Sequence, residues 1–249
     1  MRRGGADWVG RQIGGLVDLL FPPACPICLR SLPVSAPESP FCALCSSAIT
    51  PLPPGRCSRC ALPFIATSSS SHLCADCCRK LPAFSAVYAA GLYAGALKRA
   101  LQRFKYSGAV DLDRPLAKLL EIQIPPVVGN EVIVPVPLHL SRLRRRGYNQ
   151  SLLLARVLAH NLRITLDHSS LRRVVDSHSQ QGLDARQRAR NLCNAFIGTR
   201  RLDGRSVLLV DDVMTTGATV AACTQVLYDV GVRRVNVAVI ARAPRHGSR

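Results

Sequence analysis

Residues 206–220, SVLLVDDVMTTGATV, constrain the fold of this 249-residue chain more than any other segment. Residues 207–210 form a continuous apolar run, which is typical of a strand buried on both faces of a parallel sheet. Two carboxylates, Asp211 and Asp212, then close the strand at the end where open α/β sheets present ligand-binding groups. The segment therefore predicts an α/β fold with a ligand site at the carboxyl edge of its sheet.

A phosphate site is predicted directly after the acid pair. A short turn opens a helix predicted over residues 220–230, and the unpaired N–H groups and the dipole of a helix start favour an anion. A sugar phosphate suits both features, because carboxylates accept hydrogen bonds from ribose hydroxyls, directly or through Mg²⁺, while the turn holds the 5′-phosphate. An acid pair followed by a threonine N-cap also occurs in α/β proteins without such a ligand. The predicted binding residues are Asp211, Asp212, Thr215, Thr216, Gly217, Ala218 and Thr219.

Eight cysteines near the N-terminus form four CxxC pairs, and each cysteine of the first two pairs recurs 32 residues later. Each copy reads CxxC, 13 residues, CxxC, which suits a four-thiolate zinc site whose metal supplies much of the folding energy. Duplication of one ribbon favours two sequential sites, and a crossed arrangement would interleave the pairs. We predict the sequential form, with about two structural zinc ions per chain. The predicted ligands are Cys25, Cys28, Cys42 and Cys45 for one ion and Cys57, Cys60, Cys74 and Cys77 for the other.

A disulfide framework is the alternative explanation of these cysteines, and it requires an oxidising compartment. The N-terminal apolar patch is broken by glycines and an aspartate and does not resemble a secretory signal, so a cytoplasmic location is expected. Cys78 is expected to be a bystander that could compete for metal, and Cys193 and Cys223 to be packing residues. The longest nearly apolar run, residues 83–96, is too short to span a bilayer.

Pro82 marks the predicted boundary between two domains. Residues 1–82 would hold a short amphipathic helix and the duplicated ribbon, and residues 83–249 an α/β domain. In the second domain we predict a strand or extended segment over residues 84–92 and a helix over residues 94–105. Lys105 ends this helix, where it could contact a substrate phosphate or simply be solvated.

A second buried-type strand is predicted over residues 131–138, followed by His139 and an arginine-rich loop. In that loop Arg142 and Arg146 belong to a cluster that suits a pyrophosphate leaving group, because fixed cations stabilise charge that develops on its oxygens. A solvated basic loop or a nucleic-acid contact would explain the same residues. Asn149 is a candidate cap for a helix that begins at Gln150.

The formal net charge of +18 favours polyanionic partners, such as a sugar pyrophosphate or a nucleic-acid backbone. Genomic base composition could produce the same excess of arginine. Between residues 176 and 196 lies a polar, arginine-rich segment, which we interpret as a lid over the site or as an irregular loop.

The segment at residues 206–220 resembles the phosphoribosyl-pyrophosphate (PRPP) signature of type I phosphoribosyltransferases. The whole chain resembles the ComF family of competence-associated, phosphoribosyltransferase-like proteins, through LLFPPACPIC at 19–28, the cysteine pairs, FKYSG at 104–108, VPVPLHLSRLRRRGYNQS at 134–151 and LLVDDVMTTGAT at 208–219. The resemblance implies a type I phosphoribosyltransferase fold, a mostly parallel sheet flanked by helices, preceded by a zinc-ribbon module. It also implies a link to DNA uptake or to the handling of single-stranded DNA.

The resemblance further assigns roles to particular residues. Asp211 and Asp212 would bind ribose hydroxyls and Mg²⁺, and residues 215–219 the 5′-phosphate. The pyrophosphate loop would comprise Val136, Pro137, Leu138 and His139, and the variable loop over the site would include Gln181, Arg188 and Asn191.

The sequence is compatible with two functions. One is a phosphoribosyltransferase in which an acceptor attacks the anomeric carbon of PRPP; no residue is a clear general base, and His139 is a weak candidate. The other is a catalytically inactive module that senses PRPP or a nucleotide and binds nucleic acid through its basic surface and ribbons. A homodimer or a partner from the competence machinery is compatible with either function.

Overall fold

The computed structural model describes residues 24–32, 39–64, 72–126, 131–176 and 194–244. The amphipathic helix predicted near the N-terminus lies outside these ranges. No helix within them is long and apolar enough to cross a membrane.

The described residues form a mixture of short strands and helices in alternation. The strands are β1 (Val87–Leu92), β2 (Glu131–Pro135), β3 (Thr165–Leu166), β4 (Leu171–Arg173), β5 (Phe196–Gly198), β6 (Ser206–Met214) and β7 (Arg234–Arg242). The α-helices are α1 (Ala43–Ser47), α2 (Ala75–Arg79), α3 (Gly95–Tyr106), α4 (Asp113–Glu121), α5 (Leu140–Arg146), α6 (Gln150–Leu162) and α7 (Ala218–Asp229).

The main sheet contains five parallel strands in the order β1-β7-β6-β2-β3. Its central strands β6 and β7 are almost continuous apolar runs, as parallel strands covered on both faces require. β4 and β5 form a separate antiparallel pair. The predicted α/β class with a mostly parallel sheet flanked by helices is therefore confirmed.

Alternate residues of each central strand point to opposite faces of the sheet, so the strand contributes to two apolar cores. In β6, Val207 and Leu209 pack with α7 on one face. Leu208 and Val210 pack on the other face with α3, α4 and α6. Burial of each large side chain stabilises the fold by about 1.5–3 kcal/mol, so both faces contribute substantially.

The two cysteine ribbons pack on opposite faces of this sheet. The first ribbon joins the core of the α3 face through Cys25, Ile27, Phe41 and Cys45. The second ribbon joins the core of the α7 face through Cys57, Cys60, Ala61, Leu62, Cys74 and Cys77. The duplicated module therefore straddles the sheet and covers part of both faces.

The chain between the ribbons lies against β1 and the start of α3, so closely that two positions there have no room for a side chain. The backbone N–H of Leu92 donates to the carbonyl of Thr50 at 2.8 Å. A Cβ at Gly91 would lie 2.6 Å from that carbonyl oxygen, and a Cβ at Gly95 would lie 2.5 Å from the carbonyl oxygen of Ala48. Glycine at these two positions permits the close approach of the ribbon module to the sheet.

Strand boundaries differ from the sequence expectations in three places. β1 begins at Val87 rather than at residue 84. β2 ends at Pro135 rather than at residue 138, because proline cannot donate to the ladder and a second one follows at Pro137. β6 continues through the acid pair to Met214, because its pairing with β7 extends that far.

Candidate functional site

The acid pair lies in β6 just beyond the point where β2 stops pairing with it, at Val210. Asp211 accepts two hydrogen bonds at the same oxygen, Oδ1. One comes from the hydroxyl of Ser151 at 2.9 Å and the other from the backbone N–H of Asp212 at 2.9 Å. These contacts fix the carboxylate at the open edge of the sheet.

Lys105, which could have been a solvated surface residue, lies inside the site. Its ammonium Nζ is 2.9 Å from Oδ1 of Asp212, and the two side chains are only 19% and 11% exposed. Lys105 occupies the last turn of α3, so the helix delivers a cation to a carboxylate of β6. The structure therefore brings together the Lys105 and Asp212 that the sequence placed in separate segments.

The electrostatics of this cluster depend on burial and on the closeness of its charges. Burial, and then the charge of Asp212, raise the pKa of Asp211 to about 7. Burial alone would lower the pKa of Lys105, but the attraction of Asp212 outweighs it and raises that pKa. With both carboxylates ionised the cluster carries one excess negative charge, and its exclusively oxygen ligands suit a hard divalent cation such as Mg²⁺.

The predicted phosphate turn follows β6 and leads into α7, which begins at Ala218, two residues earlier than predicted. Gly217 caps the helix with φ of +84°, a left-handed conformation that glycine adopts without strain. The hydroxyl oxygen of Thr216 accepts from the N–H of Ala218 at 3.3 Å. The turn therefore directs the first turn of a 12-residue helix toward the same edge of the sheet as the acid pair.

The arginine-rich segment predicted as a loop is instead the helix α5, and that expectation was wrong. His139 caps its start, because its ring Nδ1 lies 3.3 Å from the N–H of Ser141, and Gly147 ends it at φ of +79°. None of its seven residues is buried, so the apolar periodicity that marks helices in sequence is missing here.

The residues before α5 lie along β6. The N–H of Val136 donates to the carbonyl of Val210 at 2.9 Å, and the side chain of Asn149 donates to the carbonyl of Val136 at 3.1 Å. Asn149 also caps α6, as predicted, by accepting from the N–H of Ser151 at 3.0 Å. The predicted pyrophosphate segment, residues 136–139, thus begins beside the acid pair.

A basic cavity of about 380 Å³ lies between α3 and α5, which we call the arginine helix. Lys105, Tyr106, Arg145 and Arg146 contribute to its lining. The guanidinium of Arg146 lies 5.1 Å from the ring centroid of Tyr106, a cation–π contact that holds the arginine near the lysine.

The structure describes His139 but not the residues of the predicted lid. The Nδ1 atom of His139 is 2.9 Å from the hydroxyl of Ser141 and 3.4 Å from the carboxylate of Asp176. The ring is therefore engaged locally as a helix cap. The lid residues Gln181, Arg188 and Asn191 lie outside the described ranges.

The eight predicted zinc ligands form two separate groups, in the sequential arrangement. Within each group the four sulfur atoms lie within 4.8 Å of one another. The Sγ atoms of Cys28 and Cys42 are 3.7 Å apart, as are those of Cys60 and Cys74. A tetrahedral site with Zn–S bonds of about 2.3 Å has S–S edges of about 3.8 Å, whereas a disulfide needs about 2.05 Å, so the geometry suits zinc.

Backbone N–H groups favour the thiolate form of one cysteine in each group. Burial raises the pKa of Cys25, but N–H groups at Cys42 and Cys28 outweigh it and lower the pKa to about 6. In the second group, the N–H groups of Cys60 and Cys74 lie 3.5 Å and 3.3 Å from the sulfur of Cys57. Thiolate, the form that binds zinc, is thus favoured at these positions.

The remaining cysteines match their predicted minor roles where they are described. Cys78 is exposed and lies outside both groups, and Cys223 is buried in the core of the α7 face. Cys193 lies outside the described ranges.

Sequence reasoning missed Ser151, Arg103 and Arg242. Ser151 bonds an aspartate 60 residues away. The arginines contact ribbon carbonyls 77 and 182 residues away. Only the position of Ser151, directly after a capped helix start, gave a local signal.

Comparisons with known proteins agree with this two-part architecture. A family model described as "Double zinc ribbon domain" matches residues 16–83, and one described as "Phosphoribosyl transferase domain" matches residues 145–249. Competence protein F of Haemophilus influenzae is 36% identical over 179 residues, which cover 68% of this chain and 78% of that protein.

DNA utilization protein YhgH of Escherichia coli is 33% identical over 231 residues, which cover 90% of this chain and 99% of that protein. Among solved structures, the allosteric regulatory enzyme of purine biosynthesis aligns with 53% of this chain and 26% of its own, at 18% identity and a TM-score of 0.38.

Proposed function

Because the chain belongs to the competence protein F family, with a phosphoribosyltransferase-like domain behind a double zinc ribbon, we propose that it binds PRPP together with Mg²⁺. The observation that carries the proposal is the cluster of Asp211, Asp212 and Lys105 at the edge of the sheet where α7 begins. Two carboxylates beside a helix start suit a ligand that has both hydroxyls and a phosphate, because the carboxylates accept from the hydroxyls and the helix start binds the phosphate.

Each part of the cluster has a role in this proposal. Asp211 and Asp212 accept hydrogen bonds from the ribose hydroxyls and would also hold Mg²⁺, which would supply positive charge against the pyrophosphate. The backbone N–H groups of residues 215–219 hold the 5′-phosphate at the start of α7.

Lys105 changes partner in this proposal. Without ligand its ammonium neutralises Asp212 at 2.9 Å. With Mg²⁺ held at the carboxylates, Asp212 would no longer depend on Lys105 for its counter-charge, and Lys105 would be able to contact a phosphate oxygen, so that no buried charge is left without a counter-ion. Release of the lysine is thus coupled to metal-substrate binding.

The arginine helix receives the pyrophosphate. Arg142 and Arg146 of α5 carry fixed positive charge close to the 136–139 segment, and the latter borders the cavity that also contains Lys105. Guanidinium groups form paired hydrogen bonds with phosphate oxygens and stabilise the charge that develops as pyrophosphate leaves.

The reaction that fits is transfer of the phosphoribosyl group to a nucleophilic acceptor. The C–O bond to pyrophosphate breaks as the acceptor forms its bond to the anomeric carbon, so that catalysis depends mainly on positioning and on charge stabilisation. His139 is held as a helix cap in the free protein, so we assign it no proton transfer in this step.

A role in DNA use accompanies the proposal, because the named relatives are a competence protein and a DNA utilization protein. The net charge of +18 supports contact with a nucleic-acid backbone. The second candidate function is a PRPP-sensing scaffold without turnover, favoured by the absence of a clear general base among the described site residues.

Calorimetric titration of PRPP and Mg²⁺ into zinc-loaded protein, with pyrophosphate release measured in parallel, separates the two functions. Binding with acceptor-dependent release identifies a transferase, and binding without release identifies the scaffold. The double substitution Asp211→Asn/Asp212→Asn is expected to abolish binding. Asp229→Asn, at an exposed carboxylate at the end of α7, is the matched control. Retained binding in the double variant would refute the site.

A further inference from the structure

A buried arginine joins the second zinc ribbon to the phosphate turn. Arg242, the last residue of β7, is only 3% exposed. Its Nε donates to the carbonyl of Cys60 at 2.9 Å, and its Nη1 donates to the carbonyl of Met214 at 3.0 Å and to that of Thr215. One guanidinium therefore bonds a predicted zinc ligand and the first residue of the phosphate turn.

The turn borders an open space on this side. A cavity of about 640 Å³ lies between the second ribbon and the turn. Cys60, Thr215, Thr216 and Arg242 are among the residues that line it. Beside this open space, the hydrogen bonds of Arg242 join the backbone of Cys60 directly to the backbone of the turn.

The charge of Arg242 also needs an explanation. The oxygen atoms that it contacts are backbone carbonyls, which carry only partial negative charge, and a buried cation is costly without full compensation. Zinc held by four thiolates has a net charge of about −2, since each ligand binds as a thiolate. The zinc-loaded second cluster is thus a suitable counter-ion for the adjacent guanidinium.

We propose that Arg242 is a positioning residue that holds the phosphate turn against the second zinc ribbon, so that zinc in the Cys57 cluster maintains the geometry of the turn. The role of the turn in binding phosphate rests on the proposed function; the positioning itself does not. The second ribbon is then a structural part of the site and not an independent module.

The first ribbon has a parallel contact, which provides a control. Arg103 of α3 donates through Nη1 to the carbonyls of Pro26 and Ile27, at 2.8 Å and 3.1 Å, within the first CxxC turn. This arginine braces the helix that carries Lys105, on the opposite face of the sheet. Its loss is expected to affect α3 and to leave the phosphate turn unchanged.

The test is hydrogen exchange measured by mass spectrometry on full-length, zinc-loaded protein. In Arg242→Met, amide exchange in residues 215–220 is expected to accelerate about tenfold or more, because roughly one charge-assisted hydrogen bond is lost. Zinc content is expected to stay at two ions per chain. Arg242→Lys keeps the charge but cannot bridge Cys60 and Met214 together, so an intermediate acceleration is expected. Arg103→Met should accelerate exchange in α3 alone.

Unchanged exchange in residues 215–220 of Arg242→Met with both zinc ions bound would overturn the proposal. An equal change in Arg103→Met would also overturn it, because that result indicates general loosening. If both Arg242 variants fail to fold, graded removal of zinc from the wild-type chain tests the same link. Amide exchange at the turn must then rise as zinc leaves the Cys57 cluster.

Binding of ribose 5-phosphate and of pyrophosphate adds a functional measurement. Arg242→Met should weaken ribose 5-phosphate binding about tenfold and leave pyrophosphate binding at the arginine helix unchanged. If wild-type protein binds neither probe, the proposed function fails, whereas the exchange experiment still decides the role of Arg242.

Discussion

At the scale of single residues, the ionised form of Asp211 is electrostatically costly in the site. Its pKa is raised to about 7 by burial and by Asp212, against 3.8 for an unperturbed aspartate. Between these two pH values the folded protein keeps a proton that the unfolded chain releases. The contribution of Asp211 to the free energy of unfolding therefore falls as pH rises from about 4 to about 7.

Asp211→Asn is expected to stabilise the ligand-free protein above neutral pH. The amide oxygen can still accept from Ser151, and the charge penalty disappears. We expect a gain on the order of 1 kcal/mol at about pH 8.5 and about half of that gain at about pH 5.5, because the penalty builds up between about pH 4 and about pH 7. Urea unfolding with zinc present measures both. A gain of the same size at both pH values would show that ionisation is not the cause.

Lys105 is expected to take the place of a metal ion in the ligand-free site. In Lys105→Met the two carboxylates lose their counter-ion, which should destabilise the protein by about 2–3 kcal/mol, and Mg²⁺ should restore part of that loss. Thermal unfolding with and without Mg²⁺ measures both effects. Lys98→Met, at an exposed position of the same helix, should show neither. An equal response to Mg²⁺ in wild type and Lys105→Met would contradict this role.

At the scale of secondary-structure elements, the junction of β6 and α7 depends on one glycine. A Cβ at position 217 would lie 2.5 Å from Cε of Met214, and φ there is +84°. Gly217→Ala is therefore expected to cost about 1–2 kcal/mol in free energy of unfolding and to weaken phosphate binding through a displaced helix start. Gly204→Ala is a suitable control, because its φ is also positive, at +68°, but its Cβ would meet no atom within 4 Å. Equal binding losses in both variants would argue against a specific role of the turn.

The elements that the sequence predicted well are those whose pattern is carried by residues close together in the chain. Four CxxC pairs in a fixed repeat, and an apolar run followed by two acids, indicate zinc ribbons and the β6 edge without knowledge of any distant contact. The α5 helix was missed because its arginines have no buried face, so its helical period leaves no apolar pattern. Arg242 was missed because its partner Cys60 is 182 residues away, and only the tertiary fold brings them together.

In the whole molecule, the ribbons and the sheet share their cores. Cys25 and Cys45 are buried with the α3 face, and Cys57 and Cys77 with the α7 face. Zinc removal should therefore loosen both faces of the sheet and not only the ribbons. The predicted domain boundary at Pro82 thus separates sequence motifs whose side chains pack in shared cores.

Adjacent cysteines of the second ribbon give the sharpest test of that dependence. Cys77 is a buried member of the metal group, whereas Cys78 is exposed and outside it. Cys77→Ser is expected to lose one of the two zinc ions and, because structural zinc contributes on the order of 10 kcal/mol of binding energy, to unfold well below the wild-type temperature. Cys78→Ser should keep both ions and the wild-type midpoint. Metal content and thermal unfolding by a probe in the sheet core measure both. A Cys77→Ser protein that lost one zinc ion while the sheet core kept its midpoint would show that the ribbon folds independently of the sheet.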